Sequence, residues 1–145
     1  MKPINEMKLS FEGRSCNEGF ARSAVAAFVA VLDPNMEELS DIKTAVSEAV
    51  TNCIVHGYRD KIGTVYIHVK IFEGARVSIN ITDRGCGIED VKKAMEPLFT
   101  TCETGERAGL GFSIMGSFMD KLRVRSKPDR GTSVTLEKTI VSKGK

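Results

Sequence analysis

Polar and apolar positions alternate singly near the start of the chain, where Met7, Leu9 and Phe11 are separated by Lys8 and Ser10. A period of two marks a half-buried strand, and its shortness makes it an edge strand. From Cys16 the period lengthens. Phe20, Ala24, Ala27, Phe28 and Val31 recur at helical intervals and predict a helix over 16–32 with these residues as its apolar stripe, opened by a Ser15/Glu18 capping box and stopped at Asp33-Pro34. Asn35 and Glu38 form a second capping pair. The helix behind it carries Leu39, Ile42, Val46, Ala49, Val50, Cys53 and Ile54 to a stop at His56-Gly57.

Strict alternation then returns twice. Val65, Ile67, Val69 and Ile71, followed by Val77, Ile79 and Ile81 across Glu73-Gly74, read as an antiparallel hairpin with one face in need of cover. Glycines dominate the next stretch and Pro97 interrupts it, which predicts a short helix near 89–95, a mobile loop, and a helix resuming at about Gly111. Leu122 and Val124, then Val134 and Leu136, flank the turn residues Lys127-Pro128-Asp129-Arg130-Gly131 and form a second hairpin ahead of a basic tail. Helices in the first third with hairpins after them predict an α+β fold: a mostly antiparallel sheet with helices on one face.

Composition narrows the class. The 145 residues suit one domain over 1–145, and 41% apolar content with a net charge of +2 excludes both a disordered acidic tail and a strongly basic nucleic-acid binder. The longest apolar stretch, Val25 to Leu32, falls far short of the roughly 20 residues of a membrane span. With no signal-peptide core at the N-terminus, the chain is expected in the cytoplasm. Cys16, Cys53, Cys86 and Cys102 lack metal-ligand spacing and scaffold density, and read as reduced thiols.

Candidate chemistry starts at Asp83, which continues the parity of Val77, Ile79 and Ile81 and so points at the covered face. A carboxylate there needs a partner, because burying an unpaired charge costs several kcal/mol. The commoner role of an isolated Asp-x-Gly is to open a turn, but Thr132 shares parity with Val134 and Leu136 and adds a second polar group to the inner face. Two polar groups facing one core suggest a pocket. Gly85 and Gly87 let backbone pass close to a ligand, while Gly109 and Gly111 fit either a tight turn or a phosphate site at a helix start. Glu48 and Asn52, four apart on one helix, form a polar edge that is either a solvated face or the base and oxygen ligand of metal-assisted phosphoryl transfer. His56 reads as a partner for the helix C-terminal dipole.

In order, the segments EAVTNCIVHG (48–57), DRGCGI (83–88), GLGF (109–112) and Gly131-Thr132 resemble the nucleotide-binding boxes of the gyrase/Hsp90/histidine-kinase/MutL ATPase superfamily. Within it, Asp33-Pro34, SEAVTN (47–52), His56-Gly57-Tyr58, PLFTT (97–101), Glu106-Arg107 and Phe118-Met119-Asp120 resemble the anti-sigma-F factors of endospore-forming bacteria, a family of serine-protein kinases, over essentially the whole chain. The resemblance implies a Bergerat-type two-layer α/β sandwich, ATP or ADP with Mg²⁺, a homodimer, and two partners: sigma factor F, which is inhibited, and an anti-anti-sigma factor, which is phosphorylated on serine. Carried over by position, it implies that Asp83 accepts the adenine amino hydrogen, with Thr132 beside it through ordered water. Asn52 then holds Mg²⁺ and Glu48 acts on the attacking serine hydroxyl. Gly85 and Gly87 line the adenosine side, and Thr100, Thr101, Arg107, Gly109 and Gly111 form a lid over the phosphates. Two alternatives stay open: a stress-response anti-sigma kinase, or a nucleotide-sensing sigma-binding module without kinase activity.

Overall fold

A computed structural model describes residues 2–88 and 108–141, the side chains of residues 108–110 excepted. Strands β1 (Asn5–Glu12), β2 (Thr64–Phe72), β3 (Arg76–Asp83), β4 (Lys121–Lys127) and β5 (Gly131–Thr139) form one sheet in the order β1-β2-β3-β5-β4, each neighbouring pair antiparallel. Helices α1 (Glu18–Val29), α2 (Met36–Asn52) and α3 (Ala108–Phe118) cover one face, with α2 packed between the other two. The expected two-layer sandwich is the one observed.

Its core follows from the strand alternation. Val65, Ile67, Val69 and Ile71 of β2 and Val77, Ile79 and Ile81 of β3 are all buried, and the register sets Ile67 opposite Ile81 and Ile79 opposite Leu136. Against them pack Val25 and Val29 of α1, Ile42, Val46 and Val50 of α2, and Phe112 and Met115 of α3. The other face is polar, where the Asn80 side-chain amide donates to Ser133 Oγ at 2.8 Å and Thr135 Oγ1 at 3.0 Å. β1 and β4 are the two edges, β1 as its short pattern predicted.

The Asn35/Glu38 capping box forms in both directions, and the second Glu38 oxygen accepts the Val141 N–H at 2.9 Å, tying the end of the described chain to the start of α2. The Ser15/Glu18 box does not form. Ser15–Asn17 is instead a 3₁₀ turn, the Asn17 side chain donates to the Glu12 carbonyl at 2.9 Å, and the Glu18 carboxylate is taken by Arg22. A second 3₁₀ turn, Ala30–Leu32, then ends at Asp33 in a left-handed conformation (φ 58°).

The expected stripe of α1 is only partly the one that packs: Phe28 lies against the core and Ala24 is half-buried, but Phe20, Ala27 and Val31 face outward. Ala21, Val25, Ala26 and Val29 are buried, whereas Phe20 is 54% and Val31 70% exposed. Both sides of α1 are apolar, so period alone could not choose between them; the smaller side chains are the ones that fit against α2. α3 begins at Ala108, ahead of the expected Gly111. The short helix expected near 89–95 and the loop behind it lie outside the described residues. Cys16, Cys53 and Cys86 carry free thiols, as expected, and Cys102 lies outside the described residues.

Candidate functional site

The wall of the site is built where α2 runs out. Beyond Asn52 the helix widens over Cys53–Gly57, the Tyr58 N–H reaching back five residues to the Cys53 carbonyl at 2.9 Å. Gly57 was expected to stop the helix by its own freedom, yet the left-handed residue is Arg59 (φ 50°). What Gly57 supplies is space: a Cβ there would sit 2.7 Å from Asp83 Oδ2. One wide turn thereby brings the α2 terminus against the end of β3.

Asp83 closes β3 opposite Thr132 and is 3% exposed. Its Oδ1 accepts the Gly85 N–H at 2.9 Å. Burial pushes the Asp83 carboxyl above its ordinary value, against the pull of the Gly85 N–H, the Cys53 thiol and the Thr132 N–H. The loop after it is folded tightly by backbone contacts. Cys86 N–H donates to the Gly57 carbonyl at 2.8 Å, and Arg84 N–H donates to the Tyr58 hydroxyl, which itself donates to the Thr64 carbonyl at 2.6 Å. A Cβ on Gly85 would stand 2.0 Å from the Gly57 carbonyl oxygen, with no flexible side chain to give way. Gly85→Ala is therefore expected to destabilise the fold by about 1–3 kcal/mol, read as a lower denaturant midpoint; an unchanged midpoint would mean the loop is free to move.

A cleft opens between these walls, lined by Asn52, Cys53, His56, Asp83, Gly87 and Thr132 and by apolar Ala49, Ile88, Phe112 and Val134. An apolar slot with a buried carboxylate at its end suits a flat heteroaromatic base bearing a hydrogen-bond donor. Thr132 shares a hydrogen bond with Ser126 at 2.9 Å, and Ser126 in turn accepts the Ile88 N–H at 2.8 Å, so the hydroxyl is held by the β4–β5 hairpin.

Glu48 stands one helical turn before Asn52 and does not line the cleft. It faces α3: a Cβ on Gly111 would lie 3.2 Å from both Glu48 Oε2 and Asn52 Nδ2, close enough that these side-chain ends would have to give by a few tenths of an ångström. The Asn52 amide nitrogen is buried and has no partner among the described residues. In a folded protein that is the mark of a group kept for a ligand. It fits a phosphate oxygen, leaving Oδ1 for a cation. Among the described residues no cluster of three or more His, Cys, Asp or Glu can hold a metal, and Asn52 Oδ1 beside the oxygens of a phosphate is the hard-oxygen donor set that suits Mg²⁺.

The structure thus brings Asp83, Thr132, Asn52 and Gly87 into one cleft, with Gly85 beneath Asp83 and Glu48 and Gly111 beside Asn52. Gly109 and Gly111 lie in the first turn of α3, which begins at Ala108. Thr100, Thr101 and Arg107 lie outside the described residues. Sequence reasoning missed the lining role of His56 and the part of Cys53. The available signal was helical spacing, since Cys53 follows Asn52 directly and stands one turn beyond Ala49.

Sheet order, helix placement and this cleft define a nucleotide-binding domain of the histidine kinase-like ATPase class, and the family model of that description matches residues 17–138. The crystal structure of the RsbU and RsbW domains of a Mycobacterium tuberculosis protein has the same fold, with a TM-score of 0.69 at 18% identity over 95% of this chain and 33% of that one. Anti-sigma F factors from Thermoanaerobacter sp. (strain X514) and Caldanaerobacter subterraneus subsp. tengcongensis are each 56% identical, the first covering 98% of this chain and 99% of its own length, the second 97% of both. The chain belongs to the anti-sigma F factor family.

Proposed function

We propose that this chain is a single-domain, cytoplasmic switch: it sequesters sigma factor F and, using ATP, phosphorylates a serine on that factor's anti-anti-sigma antagonist. The observation that carries the reading is the juxtaposition of a largely apolar cleft lined by buried Asp83 with the Asn52 amide and the Glu48 carboxylate one turn away. Asp83 accepts the amino hydrogen of adenine, and Thr132 stands beside it, joined through ordered water. Asn52 binds the phosphate end through its amide and holds Mg²⁺ through Oδ1, while Thr100, Thr101, Arg107, Gly109 and Gly111 flank the phosphates. Bound Mg²⁺ supplies charge neutralisation at the phosphates. Glu48 accepts the proton of the attacking serine hydroxyl; a module that only senses nucleotide has no use for a base there.

A transfer assay with γ-labelled Mg-ATP and purified antagonist tests the kinase half, and copurification with sigma factor F tests the other. Label transfer to serine with sigma binding supports both roles. Sigma binding without transfer leaves the nucleotide-sensing module, and capture of a different sigma factor leaves the stress-response type.

The protein is proposed to work as a homodimer built on β1 and the outer side of α1. Support comes from the apolar residues left over after the core is filled: Phe20 packs edge-to-face on Phe11 of the edge strand, ring centroids 6.4 Å apart, and remains more than half exposed, as does Val31. Phe11→Asp is expected to shift the mass in light scattering to that of a monomer; an unchanged dimer would move the interface elsewhere.

A further inference from the structure

β4 is the sheet edge opposite β1, and its exposed positions are all cationic. Leu122 and Val124 pack against the core and Ser126 bonds Thr132, so alternation sends Lys121, Arg123, Arg125 and Lys127 to the face away from the helices. Alternate residues stand about 6.6 Å apart along a strand. Arg130 at the turn extends the row and lines a groove with Arg125, Lys127, Thr82 and Ser133. β5 offers these cations no free carboxylate. Arg123 stands opposite Thr135, Arg125 opposite Ser133 and Lys127 opposite Gly131, while Glu137, opposite Lys121, is held by Arg76 at 3.1 Å. Among the described residues none of the five cationic side chains makes a hydrogen bond or an ion pair. Charge on an edge strand guards it against pairing with its own kind, but an unbroken row of like charges adds a repulsion that an anionic partner relieves.

We propose that the β4 edge is a docking surface for an acidic, extended segment of a partner protein, which adds to the sheet as a further strand with its carboxylates alternating over Arg123, Arg125 and Lys127. An edge strand presents unpaired N–H and C=O groups in turn, and an extended peptide satisfies both. Phosphate oxygens of a nucleic acid accept from the N–H groups but leave the carbonyls unpaired, and β4 and β5 carry no aromatic side chain for a base to stack on. A second copy of β4 sets cation against cation. The homodimer proposed on β1 uses the opposite edge and leaves β4 open.

The probe is a short peptide of alternating Glu and Thr, labelled with a fluorophore and titrated with the full chain by anisotropy. Beside it run a peptide of the same composition with its Glu residues in one block, and a single-stranded thymidine oligonucleotide. The alternating peptide is expected to bind the parent, more weakly as salt is added, and to lose about 2- to 30-fold in affinity in the double variant Arg123→Gln with Arg125→Gln, the worth of two exposed ion pairs. Lys43→Gln with Lys70→Gln removes the same charge from α2 and β2 and is expected to bind as the parent does. No binding to the parent, or an equal loss in both double variants, overturns the surface. Equal affinity for the block peptide overturns strand addition, and tighter binding of the oligonucleotide than of the peptide overturns the choice of a protein segment. Should the first double variant not fold, Lys121→Gln with Lys127→Gln decides the question in its place.

Discussion

Asp83→Asn is expected to weaken ATP binding by about 1–3 kcal/mol while leaving the unliganded protein at least as stable as the parent. An amide offers adenine a different pattern of donors and acceptors within a closed cleft, and one of its groups is left unpaired. Stability moves the other way for a reason visible at the site. Burial holds the Asp83 carboxyl above its ordinary value, so the folded chain binds that proton more tightly than the unfolded chain does. Its favourable contribution is complete below the ordinary carboxylate range and is lost as pH rises through the raised folded value; at neutral pH the buried charge is a standing cost. Asparagine removes that cost. Thermal melts at neutral pH should show an unliganded Tm no lower than the parent's and a much smaller rise on adding Mg-ATP. ATP affinity within about twofold of the parent would remove Asp83 from base recognition.

Glu48→Gln should lower serine phosphorylation of the antagonist by about 10²–10⁴ while sparing nucleotide and sigma-factor binding. Glutamine retains the length and hydrogen bonding of Glu48 but cannot take a proton at neutral pH. Glu48 lies outside the residues that line the cleft, so base recognition at Asp83 is untouched, and the unpartnered Asn52 amide remains for the phosphates. Phosphoryl transfer through a loose transition state depends on positioning and charge more than on early proton removal, which places the expected loss toward the small end of that range. Single-turnover transfer from Mg-ATP, beside a nucleotide titration on the same preparation, reads both quantities. A parental transfer rate excludes Glu48 as the base, and joint loss of binding and transfer makes it a structural or metal-site residue.

Period and punctuation were sufficient for the strands and for α2, since each is a local property. Alternation at Val65–Ile71 and Val77–Ile81 defined the central hairpin and aimed Asp83 inward, and Asn35 with Glu38 marked the start of α2 by a bond closed within four residues. The inward parity of Asp83 and Thr132 was likewise legible, because side-chain direction in a strand follows from counting. Local pattern failed where two answers were locally equal. The apolar residues of α1 surround the helix, and only the fit against α2 chose Ala21, Val25 and Val29 over Phe20 and Val31. Ser15 and Glu18 have capping-box spacing, but Arg22 took the carboxylate and a 3₁₀ turn displaced the helix start.

The sequence alone therefore determined the strands, the order of the boxes and which polar residues face inward, because those depend on neighbours a few positions away. Only the tertiary structure decided that Gly57 and Gly85 are glycines for the close approach of two loops, that Gly111 lies against Glu48 and Asn52, and that Cys53 lines the cleft with Asp83. Each of these is a contact between segments tens of residues apart, whose distance is set by the packing of α2 and α3 on the sheet and leaves no periodic trace along the chain.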